Sequence, residues 1–339
     1  SHTVHPRQKR RGGRENHFEG EIHMATVRLA ARPSFAKRVG KGIRDRATNW
    51  ELYIMLLPAL VYIIIFAYKP MYGVIIAFKD FNMRAGILGS PWCGFENFVR
   101  LFKSSWFPII LRNTLTISVL SLLLGFPIPI LLALMLNEVP HEGVKRSIQT
   151  ISYAPHFIST VVMCGMLVLF LSPVGGIINR LIGFFGVEPI YFMQYPQYFK
   201  WVYVLSGIWQ GAGWSSIIYF AALSGVDKSL LEAADIDGAS RLQKIIYINF
   251  PVLVPTIVTL FILQCGSLLG VGYEKVYLLQ TDTNLKGSEV ISTYVYKIGL
   301  IQSDFSFSTA VNIFNSVVNS FILIVANTLS NRVGKVGLW

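Results

Sequence analysis

The sequence predicts an all-α integral membrane protein: a bundle of six transmembrane helices with a structured polar segment between the fourth and fifth. Three observations predict it. The chain is 53% hydrophobic and only 14% charged, against roughly 25% charged residues in soluble domains. Its apolar residues gather in runs close to the roughly 20 residues that a membrane helix needs. Its net charge of +12 is uneven, with 12 of the 30 lysines and arginines in residues 1–50, as the positive-inside rule expects of a cytoplasmic segment. This composition excludes a soluble enzyme with an oily core. Nucleic-acid binding is also disfavoured, because the basic segment lacks aromatic or groove-reading elements.

The first fifty residues are polar and show no signal-peptide core before Leu52. Met24 is a candidate start, so residues 1–23 need not belong to the native structure. The first span is Leu52–Tyr68, continuing through Lys69-Pro70 to Phe78. Thr114–Leu136 is the second, with a kink expected at Pro127 and Pro129. The third has its core at Ile158–Leu171 and extends back to Ile148. Trp201–Leu223, Val252–Gly272 and Ala310–Leu329 are the fourth, fifth and sixth.

Six spans put both termini on one side, and the basic N-terminal segment makes that side cytoplasmic. Asn137–Ser147 and Gly225–Phe250 are then cytoplasmic, and Asp80–Pro108, Ser172–Lys200 and Glu274–Phe307 external. Trp92, Trp106, Tyr191, Tyr195 and Tyr198 fit an aromatic belt at the outer interface. Gly94–Phe102 has the pattern of a short amphipathic helix at that interface. The three cysteines, Cys93, Cys164 and Cys265, are scattered, so no disulfide framework or metal site is expected.

The segment 226–251 interrupts the apolar chain with its own helix signals. Ser229 and Glu232 have capping-box spacing, as do Ser240 and Gln243. Gly238 suits a left-handed helix end. The prediction is a helix–turn–helix whose tip is lined with small residues, open to close approach by another surface. Glu232, Asp235 and Asp237 make the first helix a poor match for anionic lipid, so a cytoplasmic protein partner is the better reading.

Glu232-Ala-Ala, three residues, Gly238, nine residues, Ile248, two residues and Pro251 resemble the EAA loop of ABC importer permeases, with Phe250 where leucine is common. Four other stretches are similar to the carbohydrate-uptake branch, especially its oligosaccharide and polysaccharide permeases, alginate-type importers among them. They are Pro70-Met-Tyr-Gly-Val-Ile-Ile-Ala-Phe-Lys79, Ser90-Pro-Trp-Cys-Gly-Phe-Glu-Asn-Phe98, Ala154-Pro-His-Phe-Ile-Ser159 and Trp209-Gln-Gly-Ala-Gly-Trp214. The resemblance covers roughly residues 50–339 and implies the type I importer fold. It implies a coupling helix in which Glu232, Ala233, Ala234, Asp235 and Gly238 dock on an ATPase subunit, with Pro251 opening the next span. It further implies two ATPase subunits carrying ATP and Mg, a second and different permease chain, an extracytoplasmic solute-binding protein, and alternating access in the bacterial cytoplasmic membrane.

No phosphate-cradling G-x-x-x-x-G-K-[ST] loop occurs in the sequence. The expectation is therefore a transport subunit that catalyses nothing, with no cofactor or metal of its own. A substrate path is expected among neutral polar and aromatic residues of the spans. Asn312, Asn315 and Asn319 share one face of the sixth span with Ser316, Trp209, Gln210 and Trp214 cluster in the fourth, and Gln264 lies in the fifth. Amides can bond sugar hydroxyls and flat rings can stack on sugars, yet the same residues serve as glue between membrane helices. An acidic sugar would call for a basic residue, and Arg112 and Lys297, near outer ends, are the nearest. His156 is expected to be structural. A secondary carrier for a neutral solute would instead show intramembrane carboxylates or paired broken helices. A membrane scaffold docking a cytoplasmic partner would explain the loop but leave the polar mid-span residues without a purpose.

Overall fold

The computed structural model describes residues 50–334 and 337–338. The basic N-terminal segment, apart from Trp50, lies outside the described residues. The chain divides into two compact units, residues 1–66 and 67–339. In the first, Trp50–Ile63 forms α1, apolar on every side with Pro58 inside it, as befits a helix whose solvent is lipid.

Among its described residues the second unit has helices and no strand, apart from a single isolated bridge between Lys79 and Trp92. Its elements include α2 (Glu96–Lys103), α3 (Phe107–Gly125), α4 (Pro127–Asn137), α5 (Glu142–Tyr153), α6 (Thr160–Phe170), α7 (Pro196–Leu223), α8 (Lys228–Ile236), α9 (Arg241–Lys244), α10 (Phe250–Cys265), α11 (Tyr273–Leu279), α12 (Leu285–Ser288), α13 (Ile291–Tyr296) and α14 (Phe305–Gly334). Four described stretches are long and apolar enough to cross a membrane: Trp50–Phe78, Phe107–Asn137, Arg241–Cys265 and Phe305–Arg332. The second is α3 plus α4, parted where Pro127 cannot donate to the ladder.

The predicted third span is not one straight helix. Glu142–Phe157 and Thr160–Phe170 meet at 99°. Pro155 removes a backbone donor, and the Ser159 hydroxyl accepts from Val162 N (3.3 Å), starting a new helix. Alone, the 11 residues of α6 span only ~16 Å, about half a hydrocarbon core. α7, at the position of the predicted fourth span, is 28 residues long, or ~42 Å, yet falls outside the apolar set. It is the central helix, packed against α3, α4, α5, α10 and α12, so protein rather than lipid surrounds much of it and polar side chains are tolerated.

The fifth span also differs from its predicted bounds. Its helix runs continuously from Arg241, through a wider π-type turn at Ile245–Asn249, and ends at Cys265 rather than Gly272. The wide turn lies just before Pro251, where a regular i→i−4 ladder would lack a donor. α2 forms where an interfacial helix was expected, but it buries Asn97 and Leu101 against protein. Asn97 Nδ2 donates to Ala77 O at 2.9 Å.

Three apolar clusters hold the unit together. One joins Ile117, Met163, Phe199, Val204 and Val276. A second joins Leu101, Ile110, Leu269, Ile291 and Phe307. The third joins Ile130, Leu134, Tyr219, Leu223 and Leu253, with Val226 and Ile245 of the loop packed against it. Where α5 crosses α7, a Cβ at Gly213 would overlap the backbone carbonyl of Ser152. The closing Gly-Trp of Trp209-Gln-Gly-Ala-Gly-Trp214 is thus a helix-crossing requirement at its glycine.

Candidate functional site: a polar loop and a row of cavities

The loop begins three residues after α7 ends. Asp227, not Ser229, is the N-cap of α8: its carboxylate accepts from Ser229 N at 2.9 Å. The Ser229–Glu232 box therefore does not form. Asp227 stands in extended backbone two residues earlier, and an aspartate there captures the first free donors. Those hydrogen bonds from the Ser229 backbone and side chain hold the Asp227 carboxyl below the usual aspartate range. Glu232 is left inside the helix and exposed.

α8 ends as its sequence predicts. Gly238 adopts φ +76°, Ala239 N donates to Ala234 O (2.9 Å) and Gly238 N to Asp235 O (3.2 Å), the paired bonds of a Schellman end. The second capping box is present: Gln243 N donates to Ser240 Oγ (3.4 Å) and Ser240 N to Gln243 Oε1 (2.7 Å). Across the turn, Lys244 pairs with Asp235 at 2.7 Å. The result is a rigid elbow that leaves apolar surface uncovered. Ile236 is 87% and Leu242 65% exposed, Glu232 and Ala233 are exposed, and Ala234 is half-buried. At its base, buried Asn249 donates to Glu138 Oε1 at the end of α4 (3.2 Å).

The polar span residues divide by what they touch. Gln210 Nε2 donates to Ile158 O (2.9 Å), satisfying a carbonyl at the α5–α6 break. Asn319 Oδ1 accepts from Leu269 N (2.9 Å), just beyond the end of α10. Asn315 Oδ1 is buried without a partner, and Asn312 is exposed. Trp214 stacks on His156, with centroids 4.5 Å apart and planes within 3°, and stays 44% exposed. It lines a cavity of about 410 Å³ with Phe126, Pro129, Ser215, Tyr219 and Gln264. Gln264 also lines an adjoining cavity of about 190 Å³ with Ser118, Ser121, Tyr203 and Ser267. Trp209 faces elsewhere, into an apolar cavity of about 460 Å³ among Met163, Met166, Phe170 and Trp201.

Sequence reading passed over one face of α3–α4. Ser118, Leu122, Gly125 and Pro129 recur at helical spacing, and all line the two cavities that share Gln264. That periodicity was available as a signal. Lys275 was not foreseeable. It is 9% exposed, donates to Tyr203 O at 2.8 Å and lies 4.5 Å over the Tyr203 ring. Burial pushes its pKa down to about 8.

Comparison with known proteins gives the family and the fold. The family described as "Binding-protein-dependent transport system inner membrane component" matches residues 125–335. The polygalacturonan/rhamnogalacturonan transport system permease protein YteP of Bacillus subtilis (strain 168) is 45% identical over 288 residues, 85% of this chain and 90% of that protein. A crystal structure of a bacterial ABC transporter involved in the import of the acidic polysaccharide alginate contains a chain 44% identical, with TM-score 0.80, covering 87% of this chain and 99% of that one. The same figures hold for a chain of a bacterial alginate ABC transporter in complex with alginate pentasaccharide-bound periplasmic protein.

Proposed function

Because the chain belongs to the binding-protein-dependent transport system inner membrane components, we propose that it imports oligosaccharides or polysaccharide fragments as one permease subunit of an ATP-driven importer. The observation that carries the mechanism is the elbow at 228–244. It is built from its own capping bonds, turns on left-handed Gly238 and presents small and apolar residues outward. A helix with Ala233 and Ala234 on its surface can seat deeply in a groove, and a rigid elbow passes the groove's movement into α10 without bending. Two separate ATPase subunits, carrying ATP and Mg, supply that groove. Glu232, Ala233, Ala234, Asp235 and Gly238 form the docking element, and Pro251 sits where the motion enters the span.

A second, different permease chain completes the path. An extracytoplasmic binding protein delivers the sugar, as the complex with a periplasmic protein in a similar transporter supports. The chain lies in the bacterial cytoplasmic membrane with both termini inside. Of the polar span residues, Trp214 and Gln264 line the path. Gln210 and Asn319 hold the walls in place.

The test is ATPase activity and oligosaccharide uptake of the reconstituted complex, with and without sugar-loaded binding protein. Wild type should be stimulated. Glu232→Lys and Gly238→Asp should insert normally but lose both stimulation and uptake. Normal transport by both variants would remove the coupling role from this loop.

A further inference from the structure

At the end of α7 opposite the loop lies a cavity of about 260 Å³ between α3, α7 and α12. Arg112, Lys200 and Lys286 line it with Asn113, Thr116 and Gln197, and no carboxylate does. None of the three cations has a side-chain hydrogen bond or ion pair among the described residues. Lys297, the other basic residue singled out by sequence, is taken: its Nζ meets Glu289 Oε2 and Gln280 Oε1, each at 2.6 Å. The N-terminus of the 28-residue α7, which opens at Pro196, adds the positive end of its dipole.

The backbone holds these charges together. Asn113 Nδ2 donates to Lys286 O (3.0 Å) and Glu289 O (2.9 Å), tying α12 to α3. Gly287 sits so close to Pro196 that a Cβ would overlap its carbonyl, tying α12 to α7. Three like charges lining one cleft repel one another unless an anion joins them, and they concentrate anions from solution. The cleft also continues inward. Ile117 is shared with the 190 Å³ cavity, and Gln264 joins that one to the 410 Å³ cavity. Arg112 to Gly125, which lines the 410 Å³ cavity, covers ~20 Å along α3.

We propose that Arg112, Lys200 and Lys286 form an entry subsite for the carboxylates of an acidic oligosaccharide, a uronate chain threading toward Gln264 and Trp214. This inference rests on the import reading above. Carboxylate specificity is decided at this mouth, and the neutral cavities beyond it read hydroxyls and ring faces.

The test uses the complete importer in neutral-lipid proteoliposomes, with an oligogalacturonate of defined length and its methyl ester as probes. Replacing all three residues by glutamine should raise KM for the acid about tenfold, the scale expected of three partly screened ion pairs, and leave KM for the ester within about twofold. Arg112→Lys with Lys200→Arg and Lys286→Arg should restore uptake of the acid. Added salt should raise the wild-type KM and leave that of the glutamine variant flat. An unchanged KM for the acid, an equal rise for acid and ester, or a defect seen only with anionic lipid, which would mark a headgroup site, overturns the subsite. Wild type importing the ester as well as the acid overturns the carboxylate preference. Wild type importing neither probe overturns the uronate subsite, and only the further loss of all ATPase stimulation by sugar-loaded binding protein sinks the import reading itself.

Discussion

The elbow at 227–244 and the cavity row along α3 are both held by polar side chains, by opposite means. In the loop, serine, aspartate and glutamine side chains bond within nine residues of themselves, from Asp227–Ser229 to Asp235–Lys244. Around the cavities, Gln210 reaches 52 residues to Ile158, Asn319 reaches 50 to Leu269, and Asn113 reaches 176 to Glu289. A local network can keep its shape while the elbow moves as a body. A long-range network fixes walls relative to one another. Rigidity in the loop therefore serves transmission, and rigidity around the cavities serves shape.

The largest effect should come from closing the α5–α7 crossing. Gly213→Ala places a methyl on the Ser152 carbonyl, which backbone cannot evade. A cost of about 3 kcal/mol is expected, seen as lower membrane content and a lower Tm of the purified complex. An unchanged Tm would mean that the two helices separate freely. Gly238→Val comes next and should act on the loop alone. A β-branched residue at φ +76° costs about 1–2 kcal/mol. Membrane content should hold while binding-protein-stimulated ATPase falls to basal. If content falls with activity, the loop is not the independent body described above.

Gln210 and Gln264 sharpen the contrast within one residue type. Gln210→Leu strands the Ile158 carbonyl and should cost about 1 kcal/mol, lowering Tm with little change in KM. Gln264 has no side-chain partner among the described residues and faces two cavities. Gln264→Leu should leave Tm in place and raise KM for the sugar. Exchanged outcomes would reverse which amide lines the path.

What was legible in the sequence follows the same division. Gly238 and the Ser240–Gln243 box were readable because their partners lie within the motif. The first cap was misplaced only because Asp227, two residues earlier, competes better than Ser229. The bend after Tyr153 was harder to read. Pro155 and Ser159 signal a break, but the carbonyl it frees is satisfied by Gln210, far along the chain. The polar residues of the fourth and sixth spans announced that something polar happens there. Whether an amide faces a cavity or a backbone depends on which helix packs beside it, and one sequence does not carry that.

The smallest effect belongs to Asp227, and it tests how local the loop is. Its carboxyl titrates below the ordinary aspartate value of 3.8 because Ser229 donates to the charged form. A depressed folded pKa contributes stability above the unfolded value and loses it as pH falls through the folded one. At neutral pH the cap is at full strength, and it weakens only below about pH 4. Asp227→Asn should preserve α8 at neutral pH, since asparagine caps about as well, and should remove the acid dependence. Asp227→Ala should speed hydrogen exchange across residues 228–231 and leave residues 241–244, which Ser240 caps separately, unchanged. Exchange that rises in both helices together would show that the elbow opens as one cooperative unit, with Gly238 and the Asp235–Lys244 pair binding its two arms more tightly than their separate caps do.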